Sequence, residues 1–163
     1  MAKKSKLERD SYGGAIILGL NDALVELSGA LVGLTFAISS SRLIATVGLI
    51  TGFAAALSMA SSEYLSAKEE KKANPLKLSI YTGIAYIITV LILVSPYLFL
   101  ENKYSATGLM GILAVGIIAI YTKYDSAIHK ESFKRKFTEM FTISASVAII
   151  SFAFGLLVRK LIP

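Results

Sequence analysis

Five long apolar runs dominate the chain, roughly residues 12–38, 43–66, 76–100, 105–124 and 138–161. Each reaches the ~20 residues that a helix needs to cross a hydrocarbon core of ~30 Å. In lipid the backbone must be hydrogen-bonded within its own segment, so runs of this kind fold as helices. Composition agrees: 55% of residues are hydrophobic and 17% are charged, with a mean hydropathy of +0.66. A soluble domain carries ~25% charged residues and would not bury so much apolar surface. The first run is long, contains Asp22 and Glu26 and lacks a small-residue cleavage site, so it reads as a retained span and not as a signal peptide. The expected fold is an all-α integral membrane protein, one membrane domain of five transmembrane helices over residues 1–163.

The connections are short. Ser39–Arg42 reads as a tight turn, Lys68–Pro75 as a charged junction, and Glu101–Tyr104 as a brief turn. Asn74-Pro75 is a stop-and-restart signal. Residues 124–137 form the longest connection and read as a polar interfacial helix. Pro96 is expected to kink or end the third span. Basic residues fix the orientation. Thirteen lie in the amino-terminal tail and the second and fourth connections, against four on the other side: Arg42, Lys103, Arg159 and Lys160. The positive-inside rule then places the amino terminus in the cytoplasm and the carboxyl terminus outside. The expected location is the cytoplasmic membrane of a prokaryote, with an organelle membrane as the alternative.

The net charge of +6 is therefore a topology signal and does not point to nucleic acid. The chain has no cysteine and one histidine, which excludes disulfides, Cys-based zinc sites and thiol nucleophiles and leaves no His cluster. The Ser-rich turn has no base placed to activate it. These features argue against an enzyme and against a resident cofactor.

The informative residues are acids placed where acids are costly. Asp22 and Glu26 lie in the first span and Glu63 in the second. A charged Asp at mid-helix costs roughly 2.5–3.5 kcal/mol on insertion scales. Gly19, Asp22, Glu26, Gly29 and Gly33 advance by three or four and share one helix face, as do Gly48, Gly52, Ala55, Met59, Glu63 and Ser66. Gly29-x-x-x-Gly33 and Gly48-x-x-x-Gly52 suit close helix approach. With ~1.5 Å of rise per residue, Glu63 lies ~5 Å below the cytoplasmic surface, Met59 and Asp22 ~10–15 Å, and Glu26 ~20 Å. If the two faces meet each other or a symmetry mate, these side chains form a ladder toward mid-membrane.

No Lys or Arg lies well inside any run, so the acids must be protonated, hydrated or paired with a cation that is not part of the protein. A transported cation or proton meets that need. Carboxylates suit hard or borderline divalent ions, and a Met thioether adds a softer ligand, a set that suits Fe²⁺ and to a lesser degree Mn²⁺. Met59 taken alone is more readily a packing residue. Glu69 and Glu70 lie at the exit of the second span as a possible cytoplasmic entrance; solvated pairing with Lys68, Lys71 and Lys72 is the plainer reading. His129 reads as a surface residue near the headgroups, and Glu139 as a helix-start charge of the fifth span. Tyr81, Tyr86, Tyr97, Tyr104, Tyr121 and Tyr124 read mostly as aromatic anchors near span ends.

Two segments, Gly19-Leu20-Asn21-Asp22-Ala23-Leu24-Val25 and Ala56-Leu57-Ser58-Met59-Ala60-Ser61-Ser62-Glu63-Tyr64-Leu65-Ser66, resemble the vacuolar iron transporter family. That family shows Gly-x-x-Asp-Gly-Leu in its first helix, and Ser-Met followed by Gly-Glu-Tyr-(Val/Leu)-Ser in its second. The resemblance implies a homodimer of five-helix protomers with the metal path at the two-fold interface. It implies export of Fe²⁺ or Mn²⁺ from the cytosol, coupled to inward proton movement. Asp22 and Met59 match ligands in the path, and Glu63 matches the glutamate at its cytoplasmic mouth. Family members commonly insert a Glu-rich metal-binding domain between spans two and three; here that connection is only about Ala67–Pro75. Ala23 replaces a Gly of the pattern, and Glu26 stands where the family has a small or hydroxyl residue. The expected metal set is thus Asp22, Glu26, Met59 and Glu63, with lipid, divalent ions and a second copy as partners. The alternatives are a non-transporting membrane scaffold on the same fold and a transporter of another cation.

Overall fold

The computed structural model describes residues 2–161, apart from the side chains of residues 2–11 and of His129. The described residues form five α-helices and no strand: α1 (Ala2–Ala37), α2 (Ser41–Glu69), α3 (Pro75–Phe99), α4 (Lys103–His129) and α5 (Phe133–Leu161). Each contains a stretch long and apolar enough to cross a membrane. The expected surface position of His129, and the side chains of Lys3, Lys4, Lys6 and Arg9, lie outside the described residues.

Local chemistry explains the turns. Ser40 caps α2, its hydroxyl accepting from the Leu43 N–H at 3.3 Å. Asn74 adopts the left-handed conformation (φ 60°), which asparagine tolerates better than most residues, and Pro75 opens α3 where its missing N–H costs nothing. The Asn102 carboxamide caps α4, accepting from the Tyr104 and Ser105 N–H groups at 2.9 and 3.3 Å. Pro96 sits inside α3, and the helix ends three residues later at Phe99, with the Leu100 N–H donating to the Pro96 carbonyl.

One connection departs from expectation. Residues 124–137 are not a separate interfacial helix. α4 runs on to His129, Lys130 turns the chain in the left-handed conformation (φ 54°), and α5 begins at Phe133. Glu139 accordingly lies well inside α5, exposed, and is not a helix-start charge. The reason is an ion pair: Lys136 Nζ donates to the carboxylate of Asp125, which is only 6% exposed. That pair, with Glu131 bonded to Arg135 at 2.6 Å, lets polar residues continue the two helices. The Arg135 guanidinium holds the Glu131 carboxyl below the usual carboxylate range.

The helices alternate in direction. At one end Tyr12 of α1 meets Asn74 and Tyr81, and Ala15, Ala67 and Leu78 make a small apolar cluster. At the other end the Ser41 hydroxyl donates to the Tyr97 carbonyl, and Lys103 Nζ donates to the Ile38 carbonyl at 2.7 Å. The main core is built from α1, α3 and α4, with Ile44, Ala45 and Ala56 from α2 and Met140 from α5. α5 is peripheral: it buries only Met140 and Gly155 and leaves most of its apolar residues exposed.

Lipid is as apolar as a leucine side chain, so the helices are held by close packing and not by escape from water. Glycines set the approach. A Cβ on Gly19 would collide with the Thr82 backbone of α3, and one on Gly155 of α5 would collide with the Gly33 backbone of α1. Gly48 faces Leu31 and Val94, while Gly52 faces Val90 of α3. The glycine faces of α1 and α2 therefore do not meet each other. At Gly29 and Gly33 α1 faces α5, whereas α2 is seated mainly on α3.

Three hydroxyls, those of buried Thr35 and Tyr97 and of half-buried Thr107, tie α1, α3 and α4 together. Thr35 Oγ1, Tyr97 OH and Thr107 Oγ1 lie 2.9–3.1 Å from one another. Both threonines also reach carbonyls of their own helices, Leu31 and Lys103, at 2.8 Å. Tyr97→Phe removes one hydroxyl but leaves the threonines bonded, so it should cost about 0.5–2 kcal/mol. Tyr97→Ala also opens a cavity and should cost about 3–5 kcal/mol. Thermal unfolding in detergent, followed by circular dichroism, should show that order.

Candidate functional site: the intramembrane carboxylates

Asp22 and Glu26 stand one turn apart on α1, so both carboxylates leave the helix on the same side. Asp22 is half-buried and Glu26 is exposed. Tyr86, fully buried in α3, donates its hydroxyl to Glu26 Oε2 at 3.0 Å. Both carboxylates are within electrostatic reach of that phenol. α3 thus holds the Glu26 side chain of α1 in a set direction.

Glu26 stands at the edge of a groove of about 650 Å³ between α1, α2 and α5. Ala30 and Leu34 of α1, Val47 and Ala55 of α2, and Ile150 and Phe154 of α5 contribute to its walls. The surface is almost wholly apolar. Thr51 lines it too, but its hydroxyl is spent on the Val47 carbonyl at 2.8 Å.

Further along α2, one and two turns beyond Ala55, come Met59 and Glu63. Met59 is half-buried against the main core. Glu63 is 8% exposed. Among the described residues, no Lys or Arg pairs with Asp22, Glu26 or Glu63; the ion pairs involve Glu70, Glu131 and Asp125 instead. Nor do three or more His, Cys, Asp or Glu side chains gather into one cluster among those residues. One chain brings Asp22 and Glu26 together with Tyr86, and does not close Asp22, Glu26, Met59 and Glu63 into a single coordination shell.

Glu69 and Glu70 end α2 and are exposed. The two are not equivalent. Glu70 Oε2 lies 3.1 Å from Lys72 Nζ and Oε1 accepts from the Ser66 hydroxyl at 2.9 Å. The ammonium, and then the hydroxyl, hold the Glu70 carboxyl below its ordinary range. Glu70 already has a cation, so Glu69 is the freer of the pair.

Tyr86 and Tyr97 do not serve as the aromatic anchors expected: both are fully buried, Tyr86 well inside α3 and bonded to Glu26, Tyr97 near its end and bonded to two threonines. For Tyr86 a signal existed, since it lies about ten residues inside its apolar run. Asp125 falls in the segment expected as a polar interfacial helix, and no one-dimensional pattern marks its pairing with Lys136.

Five helices, each with a stretch long and apolar enough to cross a membrane, mark an integral membrane protein, and Asp22, Glu26 and Glu63 lie inside the apolar stretches of α1 and α2. Residues 14–74, from α1 to the α2–α3 turn, match the model described as the VIT family. The matched stretch contains Asp22, Glu26, Met59, Glu63, Glu69 and Glu70. It is a family of transporters and suggests membrane transport of metal ions. No curated protein matches the chain.

Proposed function

We propose that this protein exports a divalent transition metal, Fe²⁺ or Mn²⁺, from the cytosol in exchange for protons, and that it works as a homodimer. The observation that carries the reading is the pair Asp22 and Glu26: two carboxylates one turn apart in a span, with no Lys or Arg partner among the described residues. An uncompensated intramembrane charge is maintained where it serves an ion path. The pair lies inside the stretch that matches a transporter family.

In this reading Glu69 attracts the ion at the cytoplasmic mouth, Glu63 receives it, and Met59, Asp22 and Glu26 bind it deeper. Two-fold assembly would double each carboxylate and supply the oxygen ligands that one chain lacks. Protonation of a carboxylate removes its affinity for a cation, so proton entry releases the metal. The amino terminus is then cytoplasmic and the membrane is the cytoplasmic membrane of a prokaryote. Tyr86 holds Glu26 in one orientation, which favours a defined ligand geometry over a mobile charge.

The test is calorimetric titration of purified dimer with Fe²⁺, Mn²⁺, Co²⁺ and Zn²⁺, together with metal flux into liposomes. Fe²⁺ or Mn²⁺ should bind near neutral pH, and binding should weaken as pH falls and carboxylates protonate. Failure of every metal to bind would favour a scaffold role on the same fold.

A further inference from the structure

We infer that the groove beside Glu26 binds lipophilic organic monocations, with the Glu26 carboxylate as counter-ion and the apolar walls as the receptor for the ligand's body. This goes beyond metal transport and does not depend on it.

The groove's size is the first argument. At about 650 Å³ it falls within the ~300–1,000 Å³ of small-molecule sites, and it is far larger than a single ion needs. Its chemistry is the second. Small residues, Ala30 and Ala55, hollow it out, and Phe154 lines it on the α5 side. A divalent metal entering this space would have to shed its water for hydrocarbon, because it takes six or more oxygen ligands and the walls supply few. A cation whose charge is spread over, or shielded by, aromatic groups has little hydration to lose. It gains apolar contact and a charge partner in a low-dielectric setting.

The geometry of Glu26 is the third argument. Tyr86 engages Oε2, and no Lys or Arg among the described residues competes for the carboxylate. The carboxylate is also exposed. A hydrocarbon-lined groove with one unneutralised carboxylate complements a ligand that is greasy and singly positive.

The test uses the full chain in detergent and radiolabelled tetraphenylphosphonium in equilibrium dialysis. Saturable binding is expected. It should fall at least tenfold in Glu26→Gln, which removes the charge, and in Ala30→Phe, which fills the groove. Glu26→Asp, which keeps the charge, should retain saturable binding and so separates loss of charge from loss of fold. Glu139→Gln, on the exposed part of α5, should bind as the unaltered protein does. The inference is overturned if Glu26→Gln binds as well as the unaltered chain, or if a neutral tetraphenyl analogue competes equally. It is also overturned if the unaltered protein shows no saturable binding, as when a second copy occupies the groove. Titration of the unaltered protein with Fe²⁺ and Mn²⁺ reads the metal site separately, so absent tetraphenylphosphonium binding with metal binding intact overturns this inference alone.

Discussion

Asp22→Asn should abolish Fe²⁺ movement into liposomes while leaving the five-helix bundle folded. The substitution is nearly isosteric. Asp22 is half-buried and makes no ion pair with the described residues, so an amide can replace it without stranding a charged partner. What changes is the ligand: a carboxamide is neutral and a poor counterpart for a divalent ion in a low-dielectric setting. Loss of an outer-sphere partner costs metal sites ~10–100-fold. Loss of a direct carboxylate ligand, twice in a dimer, should exceed that. Glu139→Gln makes the same chemical change at an exposed position of α5 and should leave flux unaltered. Equal flux in Asp22→Asn and unaltered protein would end the proposed mechanism.

A second large effect is expected at Gly19. A Cβ there would lie 2.9 Å from the Thr82 carbonyl carbon and closer still to its oxygen. One turn earlier the Thr82 hydroxyl donates to the Ala15 carbonyl at 3.0 Å, so α1 and α3 are already in near-backbone contact at this level. Backbone cannot rotate away as a side chain can. Overpacking into flexible surroundings costs about 1–3 kcal/mol, and Gly19→Leu should exceed it, because α1 must separate from α3. The variant should aggregate or elute as unfolded protein on size-exclusion chromatography. Asp22 and Glu26 follow on the same helix, so metal binding should be lost with the fold. Gly14→Leu is the matched control: a Cβ there meets nothing within 4 Å, and it should fold normally. If both variants behave alike, the close α1–α3 contact is not what holds the bundle.

Several features of the site could be read before any helix was placed. Asp22, Glu26 and Glu63 stand out because each interrupts an apolar run, and their cost in lipid marks them whatever their neighbours. The face shared by Gly19, Asp22 and Glu26 follows from 3.6 residues per turn. Which helix lies against that face does not follow. Gly29 and Gly33 suit any close partner, and the partner turns out to be α5 through Val147, Ser151 and Gly155. Tyr86 resembled an interfacial anchor because an amphipathic ring suits both a headgroup boundary and a buried hydroxyl contact.

From the chain alone come the number of spans, the solvent they face, the short turns and the acids inside them. All of these follow from local quantities: run length, hydropathy and the cost of a charge in hydrocarbon. Only the tertiary structure decided that Tyr86 of α3 holds Glu26 of α1, that Asp125 pairs with Lys136, and that the apolar groove opens beside an unneutralised carboxylate. Those arrangements depend on how each helix is rotated about its axis and which helix it meets. In lipid that choice is made by close packing between backbones, which periodicity along one helix does not encode.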